Sequence, residues 1–279
     1  MSAYCSHDVC TQITAWHQSI KRLENNLNER ENHSQVKYGN FYFVNPYLEV
    51  GTFESEYTDI FSGDPYYLQK SLFERIFSIF WKPFFGEGPY EGENVRINKG
   101  DIVIDAGSHI GIFSLLSMNQ GAKKVYAFEP NLRIHNQFLK ANIDLNHARN
   151  SIISVPCGLG AKKELVAFLD CTKYSATSRI LNTNDATTSN DESITVNITT
   201  LDAFVHENNI PHVDFIKADI EGSERQMLEG ARNTIKQFHP RLAICTYHLP
   251  DDKEVLTNII QDIDPSYNIE YTSHKLFAW

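Results

Sequence analysis

Val103-Ile104-Asp105-Ala106-Gly107-Ser108-His109-Ile110-Gly111 is the stretch on which the reading of this chain turns. An apolar strand ends in an acid, and a loop with glycines four apart leads into a helix. At the carboxyl end of a parallel strand, such a loop lets a ligand approach the backbone closely and aims helix N–H groups at it. The spacing is not G-x-G-x-x-G, and an acid at the strand end repels a pyrophosphate, so a nicotinamide dinucleotide is disfavoured. A carboxylate in this place suits a ligand that carries an ammonium group.

Outward from this stretch, short apolar runs alternate with helical patterns. Strands are predicted over residues 102–105, 125–129, 152–156, 213–219 and 242–247. Helices are predicted over 110–119, 133–146, 201–208, 224–237 and 253–263. Val- and Ile-rich strands separated by helices predict a parallel α/β sheet covered on both faces. Residues 165–169 and 194–199 also have strand character, and the polar stretch 182–191 between them reads as a surface loop. Residues 267–271 and 275–279 flank Thr272-Ser273-His274 and predict a terminal hairpin.

Three further elements fall at strand ends. The second strand ends in Glu129, followed by Pro130, 24 residues after Asp105. A carboxylate there can accept hydrogen bonds from both hydroxyls of an adenosine ribose. With the glycine loop one strand earlier, the pair suits S-adenosylmethionine, whose methionine part supplies the ammonium. Cys157-Gly158, after the third strand, falls where a loop can cover the adenine. The fourth strand runs into Lys217-Ala218-Asp219-Ile220-Glu221-Gly222-Ser223-Glu224 and delivers paired acids to the crevice. Such acids can bind a divalent metal, orient a hydroxyl or hold an amine. Glu221 and Glu224 also suit a helix N-terminus; that reading is preferred for Glu224, and the functional one for Asp219. The fifth strand ends in Tyr247-His248, placing an imidazole beside the crevice as a candidate general base.

Together these elements resemble the FkbM-type family of S-adenosylmethionine-dependent methyltransferases, from about Tyr90 to Asp252. The resemblance rests on Gly100-Asp101-Ile102-Val103-Ile104-Asp105-Ala106-Gly107, Ala127-Phe128-Glu129-Pro130, the Lys217–Glu224 segment and Tyr247-His248-Leu249-Pro250-Asp251-Asp252. Thr200-Leu201-Asp202 fits the family's segment ahead of the fourth strand. Ser108-His109 stands where the family commonly has Ala-Asn, and Ala218 where it has a larger apolar residue. The resemblance implies a Rossmann-like class I methyltransferase fold, an α/β architecture with a seven-stranded, mostly parallel sheet whose antiparallel strand comes from the terminal hairpin. It implies S-adenosylmethionine as cofactor and O-methylation of a sugar or natural-product hydroxyl. The cofactor contacts expected are Asp105, Gly107, Ser108, His109, Gly111, Glu129, Pro130, Cys157 and Gly158. In-line transfer needs a held hydroxyl and removal of its proton. His248 is the expected base, Asp219 the orienting acid, and Glu221 and Tyr247 further acceptor contacts. No complete metal-ligand set is legible, so no metal is expected.

Residues 91–279 are assigned to this cofactor domain and 1–90 to an N-terminal extension, a candidate substrate lid or dimer contact. Within the extension, Trp16, Ile20, Leu23 and Leu27 share one helical face, and an aromatic-rich region from Tyr38 to Tyr90 includes a helix predicted over 67–80. The 279 residues carry 25 Lys+Arg against 35 Asp+Glu, a net charge of -10, which disfavours a broad basic face for nucleic acid. Residues 72–85 are the most apolar stretch but contain Glu74, Arg75, Lys82 and Pro83, short of the roughly 20 apolar residues of a membrane span. Five cysteines without paired spacing fit a reducing, cytoplasmic compartment. The partner expected is a small-molecule or glycan acceptor, and the chain a monomer or homodimer. Asn45-Pro46-Tyr47 and Asp64-Pro65-Tyr66 weakly favour the rival reading, a nucleic-acid or small-molecule N-methyltransferase, although turn chemistry explains them better. A non-catalytic partner subunit on the same fold is the third reading.

Overall fold

The computed structural model describes residues 35–38, 41–44, 89–171, 178–181 and 191–279. The amphipathic stripe from Ile13 to Leu27, the helix expected over 67–80, the two Pro-Tyr turns and most of the polar loop 182–191 lie outside the described residues. A hairpin of β1 (Gln35–Tyr38) and β2 (Phe41–Val44) comes first. Next come β3 (Ile102–Ala106), α1 (Ile112–Asn119) and β4 (Lys124–Phe128). A continuous helical segment follows as α2 (Leu132–Ile134), a π-helical turn (His135–Leu139) and α3 (Lys140–Leu145), and then β5 (Ile152–Val155). A side layer is built from β6 (Gly158–Leu159), β7 (Glu164–Cys171), β8 (Arg179–Ile180) and β9 (Asp191–Thr199). The second half contains α4 (Leu201–Glu207), β10 (Phe215–Ala218), α5 (Glu224–Glu229), α6 (Arg232–Phe238), β11 (Arg241–Cys245), α7 (Asp252–Ile263), β12 (Ile269–Tyr271) and β13 (Lys275–Ala278).

Seven strands form one sheet in the order β12-β13-β11-β10-β3-β4-β5. The pairings among β11, β10, β3, β4 and β5 are all parallel, while β13 runs antiparallel to both β11 and β12. This is the Rossmann-like sheet of the expected class, with the terminal hairpin supplying the reversed strand. The order turns between β3 and β10, so the crevice outside their carboxyl ends is the topological switch point.

The alternation of side chains divides the core into two layers. Ile102, Ile104, Ile216, Leu242 and Ile244 join Leu201, Leu228 and Leu256 on one face. Val103, Val125, Phe215 and Ala243 join Phe113, Leu116 and Ile143 on the other. The period of two puts Asp105 and Lys217 on this second face, both buried. The two further runs of strand character, 165–169 and 194–199, lie in β7 and β9 of the side layer, which pair antiparallel, and β6 runs parallel to β9. The helix expected over 224–237 is two helices. At the break, a Cβ on Gly230 would stand 2.0 Å from the Gly160 carbonyl oxygen, and the Gly230 carbonyl accepts from Asp202 N. Backbone from two other segments therefore passes where a continuous helix would place a side chain.

The first hairpin is pinned to this core. Phe41 and Phe43 lie within the α1 face, and Asn142 of α3 accepts from Val44 N at 2.7 Å while donating to Ile110 O at 2.8 Å. Among the described residues, no helix is long and apolar enough to cross a membrane. Asn142→Leu strands a buried N–H and a buried carbonyl, and should destabilise the chain by about 1–3 kcal/mol in urea unfolding.

Candidate active site

The glycine loop is fixed by its neighbours on both sides. Gly107 has φ 77, and a Cβ there would stand 1.9 Å from the Asp219 carbonyl oxygen, so no other residue fits. Gly107 N and Ser108 N both donate to Phe128 O, at 3.1 and 2.9 Å. His109 takes a left-handed conformation, φ 48, which turns its N–H toward Glu129 Oε2 at 3.1 Å. The second Glu129 oxygen accepts from Asn131 N at 2.8 Å. Burial pushes the Glu129 carboxyl up to about 7, against the pull of His109, these two N–H groups and Lys217. Ser108 Oγ is buried and finds no hydrogen-bond partner among the described residues.

Behind the loop, β3 and β10 pair Asp105 directly with Lys217. The Lys217 ammonium is 3.2 Å from Asp105 Oδ1 and donates to Gly107 O at 2.6 Å and Ala106 O at 3.3 Å. The other carboxylate oxygen accepts from Ser114 Oγ of α1 at 2.6 Å. Burial alone would lower the Lys217 pKa, but Asp105 and Asp219 outweigh it and raise it. Lys217 is 3% exposed and Lys275, on β13, 0%. Both ammonium groups face the Tyr90 ring, 5.1 and 4.3 Å from its centroid, so the ring shares two buried cations.

Tyr90 carries this row to the crevice, because its hydroxyl donates to Asp219 Oδ2. Tyr247 OH donates to Asp219 Oδ1 at 3.4 Å, and its exposed ring lies 4.2 Å from that of His248. Burial raises the Asp219 pKa, yet Lys217, His248, Tyr90 and Lys275 leave it lowered. His248 is enclosed by acids. Its Nδ1 is 3.0 Å from Glu224 Oε1, and its Nε2 is 3.5 Å from Glu221 Oε2 and 3.6 Å from Asp219 Oδ1. The loop beyond is held by Asp252, which accepts from Leu249 N at 2.7 Å and from Arg225 of α5 at 2.8 Å.

The expectation of His248 as a general base finds no support in this arrangement. Burial lowers its pKa, but Glu221, Glu224 and Asp219 push it up to about 11. That shift favours the imidazolium, which has no lone pair to accept a proton. The reading of Glu224 as a helix-start residue is incomplete. Its Oε1 accepts from Ile220 N at 2.9 Å at the head of α5, and the same oxygen faces His248. Asp105 faces Lys217 and Ser114 inside the sheet layer, while Asp219, Glu221, Tyr247 and His248 do come together. Glu129, Ser108 and His109 form a second group around the loop that Gly107 and Gly111 flank. Pro130 packs 3.6 Å from the position of a Gly158 Cβ, and Gly158 itself lies in β6. Cys157 N donates to Val155 O at 2.9 Å on the strand beside Glu129, and burial pushes its thiol up to about 11. Sequence reasoning named neither Lys217, Tyr90 nor Lys275 as site residues. The available signal was Lys217 itself, since a charge inside a strand covered on both faces requires a partner.

The Methyltransferase FkbM domain family matches residues 105–268. The chain belongs to that family. A hexuronic acid methyltransferase of Haloferax volcanii is 24% identical over 169 residues, 61% of this chain and 65% of that protein. The crystal structure of an FkbM methyltransferase from Methylobacillus flagellatus superposes with a TM-score of 0.51 at 24% identity, covering 82% of this chain and 58% of that one. The chain thus spans less than two thirds of both relatives, and the structural likeness bears on the fold.

Lys217→Met leaves Asp105 buried without its counter-charge and should cost about 3–5 kcal/mol by denaturant unfolding, part of it recovered in Asp105→Asn/Lys217→Met.

Proposed function

We propose that this FkbM-family chain is an S-adenosylmethionine-dependent O-methyltransferase acting on a hydroxyl of a sugar or glycan. The observation that carries the cofactor reading is Glu129. Its carboxylate closes the glycine loop at the switch point, and each oxygen accepts only one backbone N–H among the described hydrogen bonds. Each oxygen retains a lone pair for a ribose hydroxyl. The orphaned Ser108 Oγ is a second fit, a buried polar atom in the loop where the methionine part would lie. Asp105 serves this loop through Lys217, whose ammonium anchors the Ala106 and Gly107 carbonyls.

When bound, the cofactor supplies an electrophilic methyl group, so no covalent enzyme intermediate is needed. The chain's own task is to hold the acceptor oxygen and receive its proton. Asp219, gripped by Tyr90 and Tyr247, faces the crevice as an orienting acceptor. His248, its Nε2 facing Glu221 and Asp219 at 3.5 and 3.6 Å, acts in this proposal as their positive neighbour and does not take the proton. Glu221, the most exposed of the three acids around the ring at 25%, is the proton acceptor in this proposal. Its backbone is fixed at φ 52 in the turn before α5. The hexuronic acid methyltransferase relative supports a sugar acceptor. Residues ahead of 91, rich in aromatic side chains, are the proposed source of acceptor choice.

Calorimetry separates this reading from its rivals: S-adenosylmethionine should bind in a one-to-one complex and NAD should not, whereas binding of NAD alone overturns it. A pH dependence follows from Glu129, raised in the fold to about 7. Its protonation removes an acceptor, so cofactor affinity should fall as pH drops below about 7. The effect on unliganded stability has the opposite sign, favourable below the unfolded value of about 4.5 and lost as pH rises through about 7. Glu129→Gln should weaken binding about tenfold or more at pH 8 and flatten the pH dependence.

A further inference from the structure

We propose that Asp219, Glu224 and His248 form a binding site for a divalent first-row transition ion. The three residues come from two adjacent strand ends and the start of α5, and each offers one ligand atom within 4.8 Å of the others. Donor atoms held at about 2.0–2.2 Å around one ion stand at most about 4.4 Å apart, so little closure is needed. The donor set is two carboxylates and one imidazole, which favours Mn2+ or Zn2+ over the all-oxygen shell that Mg2+ and Ca2+ prefer.

The interior of the cluster independently calls for a ligand. Glu224 is 1% exposed, and its Oε2 has no hydrogen-bond partner among the described residues. The His248 side chain is 7% exposed, and neither ring nitrogen makes an aligned hydrogen bond although carboxylate oxygens stand 3.0–3.6 Å away. Three acids thus surround one imidazole, and although Lys217 and Lys275 offset Asp219, Glu221 and Glu224 have only the His248 ring as a charge partner among the described ion pairs. The ion takes the place of the proton on His248, which leaves to solvent, and the ring coordinates in its neutral form. In a consequence that rests on the methyltransferase reading, the ion would hold the acceptor oxygen and acidify its hydroxyl, leaving Glu221 to receive the proton.

The test is titration of the metal-stripped full chain with Mn2+, followed by the loss of the free-ion electron paramagnetic resonance signal, and separately with Zn2+ by calorimetry. One ion should bind per chain. Glu224→Gln and His248→Asn should each weaken it at least about tenfold, whereas the surface variant Glu254→Gln should not. Far-ultraviolet circular dichroism and S-adenosylmethionine calorimetry on the same samples show whether each variant is folded. If either folded variant binds as wild type does, or wild type binds neither ion below 1 mM (about 4 kcal/mol of affinity), the site is refuted. Ion binding without cofactor binding upholds the metal site and refutes the methyltransferase reading; cofactor binding without ion binding does the reverse.

Discussion

The buried pair of Lys217 and Asp105 is the constraint around which the rest of the site is arranged. Two charges buried on neighbouring strands persist because each has an opposite charge beside it and further polar partners. The carboxylate takes Ser114 and the ammonium, and the ammonium also takes two loop carbonyls. That last step converts a packing necessity into a loop geometry, since the carbonyls of Ala106 and Gly107 cannot turn while Lys217 holds them. The same ammonium and that of Lys275 both lie over the Tyr90 ring, and the Tyr90 hydroxyl then fixes Asp219. Asp105, Lys217, Tyr90 and Asp219 thereby form a chain of contacts from the buried layer to the crevice.

Much of this was legible one strand at a time. Val103, Val125, Phe215 and Ala243 alternate with Ile102, Ile104, Ile216 and Ile244, and that period places helices on both faces of a parallel sheet. Glu129, Asp219 and His248 were legible because a parallel sheet collects all strand carboxyl ends at one edge. What escaped depends on contacts between distant segments. Asp105 reads as a ligand contact until Lys217, 112 residues later, is seen beside it. Tyr90 reads as one ring among many, and Lys275 as part of a terminal hairpin.

His248 shows why position alone does not assign chemistry. A histidine at the strand end beside a crevice reads as a base, yet the proton affinity of the ring is set by Asp219, Glu221 and Glu224. Glu224 could be recognised as a helix-start residue, but its contact with a ring on the next strand depends on the loop that Asp252 and Arg225 hold. The helix break at Gly230 has the same origin, because the Gly160 backbone that passes there belongs to another layer.

The central claim is that this charged row sets out a cofactor site at the β3–β10 switch point. Its most direct test is a crystal structure of the chain with S-adenosylhomocysteine. The account predicts both ribose hydroxyls on the Glu129 carboxylate and the amino-acid part against the loop of Gly107 and Ser108. A nucleoside bound elsewhere, with Glu129 still facing only His109 N and Asn131 N, would contradict it.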